Sequence, residues 1–118
     1  MKIRIKGNSL RYRLTKTDVE RFNQHGYLEE ITDFGKQQLI YALKRYELPH
    51  LTASLQNNVI TLFIPANMVN ELATTERVGF DGNYDQLYLL IEKDFKCLDA
   101  VAEDQSDNYP NPLLEKKD

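Results

Sequence analysis

The chain has 118 residues, 42% of them hydrophobic, with 15 Lys+Arg against 18 Asp+Glu, one Cys and no Trp. That length suits one domain able to bury its own core, and this composition excludes a disordered chain. It also excludes an internal disulfide framework, because Cys97 is alone, and a helical membrane span, because no apolar run approaches the roughly 18 residues needed.

Residues 2–6 and 10–14 each alternate between charged and apolar side chains, the pattern of half-buried strands. Gly7-Asn8 between them suits a two-residue hairpin turn with Gly first. That turn sets Ile5 opposite Leu10 and Ile3 opposite Tyr12, so the apolar faces match. Thr15 then predicts a helix N-cap, with Asp18 placed to complete a capping box and Leu14 and Val19 in the two staple positions. Gly26 is the expected left-handed terminator. Residues 27–33 read as a weak strand and 37–46 as a stronger one, with Asp33 and Gly35 between them.

The second half begins in the same way. Leu51–Gln56 and Val59–Ile64 read as strands around an Asn57-Asn58 turn, again with matching registers. Pro65 opens a second helix, whose apolar stripe is Met68, Val69 and Leu72. A short strand is expected at Val78–Phe80, a turn at Asp81-Gly82-Asn83, and a strand at 87–93 apolar enough to be buried on both faces. Displacing the sequence against itself by fifty residues superposes Ile5 on Leu55, Leu10 on Ile60, Val19 on Val69 and Leu39 on Leu89. The expected fold is therefore α+β: a curved, mostly antiparallel sheet or partly closed barrel of about eight strands with two short helices. It forms one globular domain over 1–98, built from ββαββ pseudo-repeats 1–48 and 51–98 by internal duplication. Residues 99–118, with Pro110 and Pro112, read as an acidic C-terminal tail that Tyr109, Leu113 and Leu114 would anchor.

The formal net charge of −3 hides a gradient. Residues 1–21 sum to +5 and residues 99–118 to −4. The sharpest feature is the polar face of the first hairpin, where Arg4 lies opposite Arg11, Lys2 opposite Arg13, and Lys6 near the turn. Like charges directly opposite one another destabilise a sheet, so something must offset that cost. Three readings are open. One is an internal anion: Glu29, Glu30 and Asp33, or the tail around Glu103, Asp104 and Asp107. Another is plain solvation, since long cationic side chains can splay into water. The third is an external anionic ligand or nucleic acid, which Arg forks and Lys point charges suit. Lys2, Arg4, Lys6, Arg11 and Arg13 are thus the candidate anion-binding residues.

No catalytic residue, metal ligand or cofactor is assigned. Cys97 near Lys93 and Lys96 has only His25 and His50 as conceivable partners, and an inert thiol is the simpler reading. No His or Cys pair stands at zinc-ligand spacing. The start MKIRIKGN lacks the apolar stretch of a secretory signal, so a cytoplasmic protein is expected, off the membrane, with a protein partner as an open alternative.

The opening Met1-Lys2-Ile3-Arg4-Ile5-Lys6-Gly7-Asn8-Ser9-Leu10-Arg11, together with Ile91–Leu98 and Tyr109-Pro110-Asn111-Pro112, resembles a small bacterial family catalogued as a domain of unknown function. That resemblance implies no activity. Val59-Ile60-Thr61-Leu62-Phe63-Ile64-Pro65 followed by a short helix and a hairpin resembles the AbrB/MazE swapped-hairpin unit. Such units pair as DNA-binding dimers, and two in one chain would make a pseudo-dimer. The chain departs from that pattern in its acidic total charge and in having Leu14-Thr15 where the unit has Ile-Pro. The functional expectation is a non-enzymatic binding or interaction protein. The alternatives are an AbrB-like nucleic-acid binder and an enzyme acting on a phosphorylated ligand.

Overall fold

A computed structural model describes residues 1–95 and 106–110 of the chain. Eight strands and two helices run in the order β1 (Lys2–Lys6), β2 (Ser9–Leu14), α1 (Lys16–His25), β3 (Tyr27–Asp33), β4 (Gln38–Tyr46), β5 (Thr52–Gln56), β6 (Val59–Pro65), α2 (Ala66–Thr74), β7 (Gly79–Tyr84) and β8 (Leu87–Lys93).

Local chemistry explains most of these elements. The first hairpin pairs Ile5 with Leu10, Ile3 with Tyr12, Arg4 with Arg11 and Lys2 with Arg13. Gly7 adopts φ +53°, as a turn with Gly in first place requires. Asn57 and Asn58 both take positive φ in the second hairpin, the mirror-image turn that Asn tolerates. The Thr15 side chain accepts from the Asp18 N–H, and the Thr15 N–H donates to Asp18 Oδ2 at 2.9 Å, completing the capping box. Gly26 ends α1 in the left-handed conformation and donates to the Phe22 carbonyl. α2 begins after Pro65 without a side-chain cap, at the end of β6.

The strands form two mixed four-stranded sheets, β1-β2-β8-β7 and β3-β4-β6-β5, with no closed barrel. Hairpins from the two halves are interleaved. The first sheet joins β1–β2 to β7–β8 through a parallel β2/β8 pair, and the second joins β3–β4 to β5–β6 through a parallel β4/β6 pair. The inward faces of both sheets and the helical residues Val19, Phe22, Val69 and Leu72 enclose one core. Tyr12, Leu43, Leu62, Leu89 and Ile91 are completely buried there. The Tyr12 hydroxyl donates to the Ile60 carbonyl at 3.1 Å, and its ring meets Tyr41 edge-on, so the two sheets are tied by a polar contact inside an apolar layer.

Three expectations need correction. The segment Asp81-Gly82-Asn83 is not a turn: β7 continues through it, and the chain reverses at Asp85-Gln86, with Asp85 at φ +57°. Strand β8 is central but not buried on both faces. Leu89, Ile91 and Lys93 point inward, while Tyr88 is exposed and Leu90 and Glu92 are half-buried on the outer face. Neither change could be anticipated from hydropathy, since an apolar run looks the same whichever face it shows. Finally, the fifty-residue displacement does not hold for the last strand. Ser9 pairs with Tyr88 where Val59 pairs with Ile40, so Ser9 matches Val59 fifty residues on, but Ile40 matches Tyr88 only 48 on. Tyr41 therefore corresponds to Leu89, and the β3–β4 tip is longer than the β7–β8 tip.

The tail is described only at 106–110, and Cys97, Glu103, Asp104, Leu113 and Leu114 lie outside the described residues. Asp107 Oδ1 accepts from the Thr17 hydroxyl at 3.1 Å, and the Lys16 N–H donates to the Asp107 carbonyl. Hydrogen bonds from Thr15 and Thr17 at the start of α1 hold the Asp107 carboxyl below its ordinary range. Tyr109 donates its N–H to the Asp94 carbonyl, stacks obliquely on Phe95 and packs against the core. The side chain of Lys93, buried and desolvated, spans from the Thr75 carbonyl to the face of the Tyr109 ring. No helix among the described residues is long and apolar enough to cross a membrane.

Gly79 is the least replaceable small residue. A Cβ there would stand 2.4 Å from the Ile91 carbonyl oxygen of the neighbouring strand. Gly79→Ala is expected to lower stability by about 1–3 kcal/mol through overpacking, read as a fall in the urea midpoint. Alkaline pH supplies a second check. Burial pushes the Tyr109 phenol up to about 12, and a hydrogen bond to Glu29 does the same for Tyr27. Both keep their protons longer in the folded chain than in the unfolded one. Stability is therefore expected to fall as pH rises from about 10 to about 12, with these phenols and the deeply buried Tyr12, which burial pushes up further still, ionising after ordinary tyrosines in a spectrophotometric titration.

Candidate functional site

Strand alternation sorts the first sheet into an inner apolar face and an outer polar one. Lys2, Arg4 and Lys6 of β1 and Ser9, Arg11 and Arg13 of β2 share the outer face with Tyr88, Leu90 and Glu92 of β8 and with Asp81 of β7. All five candidate cations therefore stand on one surface.

Their neutralisation is graded along the strands. At the end nearest α1, Lys2 Nζ lies 3.2 Å from Asp94 Oδ2, and Asp94 is buried. Asp94 is fixed in place by its own N–H, which donates to the Leu14 carbonyl. Arg13 Nε donates to Glu92 Oε1 at 3.0 Å. Arg11 Nε approaches the same oxygen only to 3.7 Å. Arg4 and Lys6, toward the turn, have no carboxylate among the described residues. A hollow of about 140 Å³ lies at that end, walled by Arg4, Lys6, Ser9, Leu10, Arg11 and Tyr88. The Tyr88 hydroxyl donates to Asp81 Oδ2 at 2.8 Å, which pushes the phenol above its ordinary range.

Of the expected internal partners, those among the described residues are engaged elsewhere: Glu30 lies 3.7 Å from the Met1 ammonium, Glu29 accepts from the Tyr27 hydroxyl, Asp33 accepts from the Gly35 N–H, and Asp107 serves α1. Glu103 and Asp104 lie outside the described residues. Among the described residues, the carboxylates that meet the hairpin cations are Glu92 and Asp94, which sequence reasoning passed over. They reach the hairpin because β8 lies parallel beside β2, with Arg13 directly opposite Glu92. Nothing local in the sequence signals a parallel pairing between segments almost eighty residues apart.

The second sheet provides an internal comparison. The β5–β6 hairpin has the register of β1–β2: Thr52 faces Phe63 where Lys2 faces Arg13, Ser54 faces Thr61 where Arg4 faces Arg11, and Gln56 faces Val59 where Lys6 faces Ser9. None of the five cations has a charged counterpart. Lys44 stands where Glu92 does, opposite Phe63. The same backbone frame is therefore built without this cluster, so the fold does not require it.

Elsewhere, the tips of three hairpins surround an open, mostly apolar cleft of about 470 Å³ that includes Ile5, Leu10, Leu55, Ile60, Tyr84 and Leu87. No cluster of three metal-ligating side chains occurs among the described residues. His25 ends α1, and His50 follows β4, where its carbonyl accepts from the Tyr46 hydroxyl.

Arg4→Glu is expected to stabilise the fold, because it replaces a like-charge pair with Arg11 by an opposite-charge one. The gain should be about 0.2–1 kcal/mol, seen as a rise in thermal midpoint that shrinks in high salt.

No curated protein and no solved structure matches the chain. A family model does, over residues 1–113, which include both sheets, both helices and the five cations. The chain belongs to that family, the DUF7009 family of unknown function.

Proposed function

We propose that this is a non-enzymatic binding protein whose outer β1–β2–β8 face docks the phosphate backbone of a nucleic acid. One observation carries the reading. Five cations gather on this face, whereas the hairpin of identical register in the other half has Thr52, Ser54, Gln56, Thr61 and Phe63 in their places. Opposed like charges cost stability, and a cost that the second hairpin avoids implies a use. Two nearby carboxylates, Glu92 and Asp94, offset part of the charge and leave an excess at the turn end.

Duplex backbone suits the face better than unpaired bases. Binding of single strands relies on aromatic platforms for base stacking, and Tyr88 is the one aromatic side chain among the described residues of this face. Arg and Lys in two antiparallel rows instead supply phosphate contacts without base readout. The overall net charge of −3 directs docking to this patch rather than to the whole surface.

The interleaved hairpins favour the same reading. We infer that the halves arose by duplication of one ββαββ unit and form within one chain the pseudo-dimer that the AbrB/MazE resemblance implies. A single cysteine is consistent with a reducing, cytoplasmic setting.

The test measures binding of a duplex DNA by fluorescence anisotropy across a salt series. Phosphate contacts by the three cations toward the turn, Arg4, Lys6 and Arg11, give a slope of log K against log salt of about −2 to −3. Giving the turn end of β1 the outer residues of β5, as Arg4→Ser/Lys6→Gln, leaves the Lys2–Asp94 pair intact and should weaken binding and reduce that slope by about two. Absence of binding at low salt, or an unchanged slope in the double variant, overturns the proposal.

A further inference from the structure

The cationic face is not uniform, and its uneven end carries a small hollow. It lies between the β1–β2 tip and β8, holds about 140 Å³ and is open on one side. At about 30 Å³ for a water molecule, that is room for a group of a few heavy atoms. One phosphoryl group fits it, with whatever it is attached to leaving through the open side.

Its walls have the matching chemistry. Arg4 and Lys6 have no carboxylate among the described residues, and the contact of Arg11 to Glu92 runs through Nε at 3.7 Å, beyond hydrogen-bond length. The terminal guanidinium nitrogens of Arg11 therefore keep their donors for another acceptor. The two arginines stand directly opposite each other across the hairpin and both line the hollow. Ser9 is held beside them, its hydroxyl donating to the Lys6 carbonyl at 2.7 Å. The turn beneath is braced from the side: the Tyr88 N–H donates to the Asn8 carbonyl, and the Asn8 side chain donates to the Gln86 carbonyl. The turn that sets Lys6 beside Ser9 is thus fixed by β8, so the backbone that carries these donors is in place before any ligand arrives. Two carboxylates stand near this wall among the described residues: Asp81, engaged by the Tyr88 hydroxyl, and Glu92, which accepts from Arg13.

Resting on the reading of this face as a phosphate-binding surface, we propose that Arg4, Lys6 and Arg11 form a subsite for a dianionic phosphoryl group, a phosphate monoester in preference to a diester. A monoester carries about −1.5 to −2 at neutral pH and three free oxygens, whereas a backbone diester carries one charge and two. Three cations lining one hollow reward the extra charge and the third oxygen. The source is a free phosphate, a nucleoside monophosphate, or the end phosphate of a nucleic acid.

The experiment compares one duplex with and without a 5′-phosphate, and adds inorganic phosphate and a nucleoside 5′-monophosphate in thermal-shift and competition measurements. The 5′-phosphorylated duplex should bind about tenfold more tightly, the equivalent of one additional charge contact. Inorganic phosphate should raise the thermal midpoint and compete for that advantage. Arg4→Ser/Lys6→Gln, which installs the residues the second hairpin carries on the same frame, should abolish both effects. Lys44→Gln on the other sheet should change neither. If the two duplexes bind equally and phosphate gives no shift, the subsite is overturned while docking of the backbone stands. If phosphate and the monophosphate shift the midpoint but no duplex binds, the subsite stands with a small phosphate monoester as its source, and backbone docking falls. A phosphate shift that persists in Arg4→Ser/Lys6→Gln overturns the assignment to these residues.

Discussion

The parallel pairing of β2 with β8 and of β4 with β6 is the constraint on which the rest of the molecule depends. Each half of the chain contributes two hairpins and one helix, and neither half builds a sheet by itself. An isolated two-stranded hairpin is marginal in water. Only when hairpins from the two halves cross do four-stranded sheets arise, with inner faces able to bury Tyr12, Leu43, Leu62, Leu89 and Ile91. The crossing also brings Glu92 and Asp94 to the first hairpin, so the electrostatics of the candidate surface follow from the topology. Such pairing joins residues far apart in sequence, and it makes closure of the sheets a late, slow event compared with formation of either hairpin.

What was legible in the sequence was local. Alternation and turn residues determined the register of β1–β2 and β5–β6, and the Thr15–Asp18 box and Gly26 determined both ends of α1. These features are set within a few residues, where steric and hydrogen-bonding rules act directly. The end of β7 was misplaced because Asp81-Gly82-Asn83 has the composition of a turn. In the folded chain Asp81 pairs with Leu90 and Gly82 with Leu89, so tertiary pairing overrides the local preference. The five cations were found from alternation alone, but their carboxylate partners were not. Glu92 faces Arg13 through an inter-half contact that no periodicity encodes.

The two sheets share a frame and differ in chemistry. On the outer side of the second sheet, Lys44 is the one cation of the strands, beside Glu29 and Asp33 and among Thr52, Ser54, Gln56, Val59, Thr61 and Phe63. On the first, cations outnumber carboxylates. Alternation commits the inner residues to the core and exempts the outer ones, so the two sheets keep one frame with different outer chemistry. Leu10 and Ile60 are both apolar and lie in or against the core, whereas the outward Arg4 and Ser54, or Arg11 and Thr61, differ.

Within the first hairpin the same division runs along the strand. At the helix end, Lys2 and Arg13 are tied to Asp94 and Glu92, beside the segment where Tyr109 and Asp107 strap β8 and α1. Removing either cation there leaves a carboxylate without its pair, and for the buried Asp94 that is costly. Toward the turn the charges have no such obligations: Arg4 and Lys6 hold nothing together, and their removal relieves repulsion. Charge at the helix end of the hairpin is thus matched by carboxylates brought in by β8, while charge at the turn end is a cost to the hairpin that no carboxylate among the described residues offsets.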